Sequence, residues 1–175
     1  MTATVLCPGE SIKAYVPNGG LVIGVNRAVI AHRCEWWAAS DYPLIRDYDA
    51  GYPIKLFTNK DTKIARPERF TEVLFKESLP DFSPEWATYT ATSALVLAAH
   101  LGAKRIDVYG VDWEGVVDWD GHQYSWTGNE AWRTRGGENW EPQIKAWGQT
   151  VSALREHGVS VCRFSKNTEV AQSQS

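Results

Sequence analysis

The sequence predicts one α/β domain of Rossmann-like type, with a mostly parallel sheet of about six strands flanked by helices. Three observations carry this. Short apolar runs recur along the chain and halt at glycine, asparagine, aspartate or threonine, as strands buried on both faces do. A small-residue helix over residues 90–101 passes through Gly102 into an apolar strand over 105–112, which is the joint of a βαβ unit. The chain has 175 residues, 43% apolar and 22% charged, enough for one substantial core.

The first strand is read over residues 4–7, ending at Pro8-Gly9, and the second over 21–26, after Gly19-Gly20 and ending on Asn26. Residues 27–32 suit one or two turns of helix. A third strand is expected over 35–41, with Ser40 and Asp41 at its exit before the breaker Pro43, and a fourth over 52–58, ending on Thr58. Residues 59–82, charged and broken by Pro67 and Pro80, read as loop with a helix over 68–76. Ser83-Pro84-Glu85 is a helix-start signal, and the helix begins there or restarts at Thr90. Its narrow face of Ala91, Ala94, Leu95, Ala98, Ala99 and Leu101 suits close packing on a sheet.

The fifth strand spans 105–112 and ends on Gly110 and Asp112. Residues 113–139 show little periodicity but much Trp, Gly, Asp and Arg. Nine tryptophans stand in the chain, six of them between Trp113 and Trp147. A long segment of this composition reads as a functional loop with its own aromatic packing. An amphipathic helix follows over 140–157, with Ile144, Trp147, Val151 and Leu154 on one face and Gly158 as its stop, then a last strand over 159–164. Residues 1–170 thus form one nucleotide-binding-like domain, and 171–175 a frayed tail.

Composition excludes several classes. A formal charge of −3 gives no general grip on nucleic acid. No apolar run reaches the length of a membrane span, so no membrane partner is expected. Three cysteines without CxxC spacing and no basic-then-apolar leader point to a reducing, cytoplasmic setting. A homo-oligomer is compatible with all of this.

The polar strand exits converge. In a parallel sheet Gly9 and Ser11, Asn26, Ser40 and Asp41, Thr58, Gly110 and Asp112 line the carboxyl edge, where α/β proteins bind ligands. Gly9 and Ser11 suit a tight turn or a phosphate cradle, and Asn26 a turn residue or an amide reading a base or sugar. Thr92 and Ser93 open a helix at the same edge, an anion-binding element. Asp112 and His122 are the candidate proton-transfer residues. Glu114, Asp118 and Asp120 can hold Mg²⁺ against phosphates or form a solvated acidic loop. Trp113, Trp126 and Trp132 are candidate stacking platforms, and Arg133 and Arg135 candidate partners for phosphate or carboxylate. His32 and Cys34 do not make a metal site by number, and no metal ligand is assigned.

At these residues the chain resembles a Rossmann-like group containing bacterial lipooligosaccharide sialyltransferases, flagellar accessory glycosylation proteins and archaeal pterin pyrophosphokinases, with phage-borne proteins of similar size closest in look. Cys7-Pro8-Gly9-Glu10-Ser11-Ile12 resembles its G-P-S-L turn, Val25-Asn26 its V-N strand exit, and Ser40-Asp41 its aspartate after the third strand. Thr92-Ser93-Ala94, Leu101-Gly102 and Tyr109-Gly110-Val111-Asp112 resemble its S-G…L-G…G-x-D segment. The resemblance implies a nucleotide held by the glycine turn, Asn26 and the helix start at Ser93, with a nucleotide sugar or ATP as donor. Two departures stand out. Glu10 replaces the proline of the turn. Where the sialyltransferases carry a catalytic histidine, this chain has Arg135-Gly136-Gly137, which counts against sialyl transfer proper.

The leading expectation is therefore a cytoplasmic nucleotide- or nucleotide-sugar-binding transferase, glycosyltransferase-like. The alternatives are a Mg²⁺-dependent pyrophosphokinase or phosphotransferase, and a non-catalytic nucleotide- or protein-binding module.

Overall fold

The computed structural model describes residues 1–80, 89–113, 118–122, 140–165 and 170–171, the last pair as backbone only. A single sheet runs through the molecule. Its strands are β1 (Thr2–Leu6), β2 (Leu21–Val25), β3 (Trp36–Ala38), β4 (Ile54–Thr58), β5 (Phe70–Phe75), β6 (Arg105–Tyr109), β7 (Ser160–Phe164) and the two-residue β8 (Val170–Ala171). Their order is β5-β4-β3-β2-β1-β6-β7-β8. The first seven are mutually parallel, and β8 pairs antiparallel with the end of β7. The α/β class and parallel sheet match the expectation.

The central strand β2 is buried over its last four residues and reads as an unbroken apolar run, while β1 is buried from Ala3 to Leu6 and β6 at Ile106 and Val108. β1 pairs β2 on one side and β6 on the other, with Val5 opposite Ile23 and Val108. Helices α3 (Thr90–His100) and α4 (Trp140–Glu156) pack together on one face, α3 lying over β1, β2, β3 and β6. Helices α1 (Ala28–Ala31) and α2 (Tyr42–Asp47), with a 3₁₀ turn over Glu10–Ala14, cover the other. Each face has its own core, one around Leu95, Ile106 and Trp147, the other around Leu6, Trp37 and Leu44.

Helix α3 is buried almost all round: Thr92, Ser93, Val96 and Leu97 are covered as well as the predicted alanine face. Small residues let it sit low on the sheet while α4 covers its outer side. Gly102, at φ +98°, and Gly158, at φ +75°, end α3 and α4 as expected. Among the described residues no helix is long and apolar enough to cross a membrane.

Two expectations are corrected. Within the segment 68–76, residues 70–75 form the edge strand β5, not a helix; they are half-buried or exposed, so the strand carries Glu72, which pairs with Lys55 on β4 at 3.1 Å. That charge hid the strand. The third strand stops at Ala38, and Pro43 opens α2 instead of breaking the chain, because the first helical turn needs no donor there. Ile144 lies on the apolar stripe of α4 as expected and is 45% exposed, and Ala146 and Thr150 join Trp147, Val151 and Leu154 in the buried face. With β5 and the two-residue β8 the sheet has eight strands, in keeping with the expected sheet of about six.

Candidate functional site

From β1 the chain steps outward strand by strand to β5, then returns to lay β6 on the other side of β1. The order reverses between β1 and β6, and such a switch point at the carboxyl edge is where open α/β sheets bind ligands. Because β5 ends on this edge and β6 starts on the opposite one, α3 runs back across the sheet and presents its N-terminus here. The same geometry brings the start of α4 to this edge.

The exits of β1 and β6 are stitched together. Cys7 N donates to Tyr109 O at 2.8 Å and Gly9 N to Gly110 O at 2.9 Å. Gly110 N donates to Ser11 Oγ at 2.7 Å, and Ser11 N to Asp112 Oδ2 at 2.9 Å. The two backbones approach so closely that both glycines are required. A Cβ on Gly9 would lie 2.4 Å from Gly110 O, and one on Gly110, at φ +82°, would lie 1.7 Å from Cys7 O. Gly9, Ser11 and Asp112 do come together as the sequence suggested, but toward one another. The Gly9 and Ser11 amides are engaged within the protein, and Ile12 N donates back to Gly9 O. The segment is a tight turn, and a phosphate could use these amides only by displacing those bonds. Burial, with Asp112 adding to it, pushes the Cys7 thiol well above its ordinary range.

Next along the edge, Asn26 leaves β2 in the left-handed region at φ +53°, where asparagine is tolerated. Its backbone is secured: Asn26 N donates to Ala38 O at 3.0 Å, and its carbonyl accepts from Trp37 Nε1 at 2.8 Å. Its side-chain Oδ1, however, is buried without a hydrogen-bond partner among the described residues.

Arg27, which follows, is 4% exposed. Its Nη1 donates to Asp118 Oδ2 at 2.6 Å and to Asp120 Oδ1 at 3.0 Å, and its Nη2 to Asp120 Oδ2 at 2.7 Å. The guanidinium lies over the rings of Tyr48 and Trp119, at 5.3 and 5.0 Å from their centroids. Burial works against its charge, but the hydrogen bonds to Asp120 and Asp118 outweigh this and hold it firmly protonated. The Asp120 carboxyl is driven well below the usual carboxylate range, chiefly by Arg27.

The acids belong to a tight turn over residues 118–122. Gly121 N donates to Asp118 O at 2.9 Å and Asp118 N to His122 O at 3.0 Å, with Gly121 at φ +79°. Gly121 supplies the positive φ that lets the turn close. Trp119 N donates to Pro8 O at 2.8 Å, seating the turn on the β1 exit. His122 Nε2 lies 2.9 Å from Tyr48 Oη, just past the end of α2.

The remaining candidates are placed as follows. Asp41 is exposed at the start of α2 and makes no side-chain cap there. In the first turn of α3, Thr92 Oγ1 donates to Tyr89 O at 2.8 Å and accepts from Tyr89 N at 3.3 Å; Ser93 is buried beside it. Trp113 leaves β6 at φ +49°, edge-on to Trp147 and with the Arg163 guanidinium 4.5 Å from its centroid. Glu114, Trp126, Trp132, Arg133 and Arg135 lie outside the described residues.

The acids offered for Mg²⁺ do not fit that role as they stand. Asp118 and Asp120 are taken by Arg27, Asp112 accepts from Ser11, and among the described residues no group of three His, Cys, Asp or Glu side chains is arranged to hold a metal. Sequence reading missed Arg27 and Tyr48. An arginine directly after the strand-exit asparagine, with a D-W-D-G turn elsewhere to receive it, was the available sign. In comparisons with known proteins the chain matches no family model, no curated protein and no solved structure.

Proposed function

We propose that this protein binds a nucleotide or nucleotide sugar at the carboxyl edge of its sheet and acts as a glycosyltransferase-like transferase. The observation that carries the reading is Asn26. A buried carbonyl oxygen without a donor is costly, and Asn26 Oδ1 is such an oxygen, one strand from the switch point. An N–H or O–H group of a base or sugar would satisfy it. The N-terminus of α3, with Thr92 and Ser93 in its first turn, favours the negative charge of a phosphate.

In this reading Asp112 is the group that takes a proton from an acceptor hydroxyl. One of its oxygens is held by Ser11 N, which fixes its orientation, while Oδ1 has no partner among the described residues. His122 is the other proton-transfer candidate, through its contact with Tyr48. Trp113, Trp126 and Trp132 remain the stacking candidates of this reading, and Arg133 and Arg135 its candidates for the anionic part.

A second reading, a non-catalytic nucleotide-binding module, is favoured by one observation: Asp118 and Asp120 are committed to Arg27, and His122 to Tyr48. Calorimetry with a panel of nucleotides and nucleotide sugars separates the readings. Asn26→Gly keeps the left-handed backbone and deletes the carboxamide. We expect it to weaken binding about tenfold, the equivalent of one buried hydrogen bond, with little change in Tm. Asp112→Asn should abolish turnover and retain binding. Binding without turnover in the parent chain supports the module, and no binding by any member of the panel refutes both.

A further inference from the structure

We propose that the outer part of the carboxyl edge, at the exits of β3 and β4, is a site for an uncharged, hydroxyl-rich group such as a sugar ring. Thr58 closes β4 and is 1% exposed, yet its Oγ1 has no hydrogen-bond partner among the described residues. Valine has the same shape and an equal or better fit to a strand, so the hydroxyl here costs the free protein stability. A ligand hydroxyl would recover that loss.

The neighbours extend the chemistry. Ser40 Oγ, at the exit of β3, donates to Asn59 Oδ1 at 3.3 Å. That contact leaves the carboxamide N–H groups of Asn59 without a partner among the described residues. Thr62 Oγ1 donates to Ser40 O at 3.0 Å, and Thr62 N to Asn59 O at 3.1 Å, folding the turn after β4 against the β3 exit. One small area thus offers a two-way hydroxyl at Thr58, donors at Asn59, and acceptor capacity on the Ser40 and Thr62 hydroxyls.

Sugar hydroxyls both donate and accept, and match this set. Phosphate asks for charge, and two of the cations nearby are engaged elsewhere, while Lys60, next to Asn59, is exposed. Arg27 is neutralised by two aspartates, and the Lys63 ammonium lies 5.1 Å from the centroid of the Tyr42 ring. The inference builds on the nucleotide-sugar reading: β2 and β4 lie two strand spacings apart, about 10 Å, so a ligand anchored at Asn26 would reach Thr58 with the group beyond its nucleoside.

The test compares UDP-glucose and GDP-mannose with UDP and GDP by calorimetry on Thr58→Val, Thr58→Ser and Asn59→Ala, with Tm as the folding control. We expect Thr58→Val to raise Tm, to weaken the nucleotide sugars tenfold or more, and to leave the bare nucleotides within twofold. Thr58→Ser should retain sugar-dependent affinity, and Asn59→Ala should lose it. If Thr58→Val and Asn59→Ala leave every affinity within twofold of the parent chain, the site is refuted while nucleotide binding stands. If no nucleotide binds at all, the nucleotide reading fails, and saturation-transfer NMR with free glucose and mannose decides the site alone. Transfer that disappears in Thr58→Val supports it, and absence of transfer from both sugars overturns it.

Discussion

Replacing Arg27 by methionine removes the guanidinium while keeping most of the length that packs against Tyr48 and Trp119. The Asp118 side chain, 4% exposed, then loses its countercharge. Breaking a buried ion pair by removing one partner costs about 3–5 kcal/mol. Asp120, with its side chain 39% exposed, rehydrates and adds little. For a chain of this size each kcal/mol moves Tm by about 2–4 °C, so the midpoint should fall by about 6–20 °C. Thermal melts by circular dichroism and urea titration at pH 7 read this directly. The double variant Arg27→Met/Asp118→Asn should regain part of the loss, because no buried charge is then stranded. A single variant within about 1 kcal/mol of the parent chain would refute the view that these carboxylates are anchored by a buried cation. The pH dependence has a fixed sign. The folded Asp120 carboxyl is held low by Arg27, so its contribution is complete above its unfolded value near 3.9 and fades as pH falls below about 4. Arg27→Met should flatten that acid limb.

Gly110→Ala should fail to fold or lose at least about 3 kcal/mol, since it adds a positive-φ penalty to a direct overlap with Cys7 O; soluble yield and urea midpoint report it. Thiol labelling at pH 8 should modify Cys162, which is partly exposed, and spare Cys7 and Cys34 until the chain is unfolded. Burial pushes Cys34 up to about 12 and Cys7 higher still, so neither supplies thiolate. Rapid reaction of all three in the native protein would contradict the burial described.

The central sheet was legible because burial on both faces removes any need for polar residues within the strands. Leu21 to Val25 contains only apolar residues, and Ile54 to Thr58 carries Ile54, Leu56 and Phe57 buried, with the exits falling where Asn26 and Thr58 stand. At the edge this logic fails. β5 has one open side and tolerates Thr71 and Glu72, which made it look helical or loop-like. Within the site, sequence could place Gly9, Ser11, Asn26 and Asp112 on one edge because each follows a strand. It could not tell that the Gly9 and Ser11 amides turn inward, since a tight turn and a phosphate cradle share the same residues. Arg27 was hidden for a different reason. Its partners lie 91 and 93 residues away, and no local pattern announces a pair that only the folded sheet brings together.

The bond from Ser11 N to Asp112 spans 101 positions, and this has a consequence for the order in which the chain acquires structure. Strand β1 is made first and ends in the middle of the sheet, yet its partner β6 is among the last to appear. At about 5–20 residues per second, roughly 5–20 s of synthesis separate the turn at Gly9 from the strand that closes on it. Through that interval one margin of β1 has no native neighbour, and its turn lacks the bonds that fix it. Such distant pairing slows folding and leaves an apolar strand open to false partners. The centre of this protein is therefore sealed late, and the nascent chain is vulnerable at the strand that ends in the middle of the finished sheet.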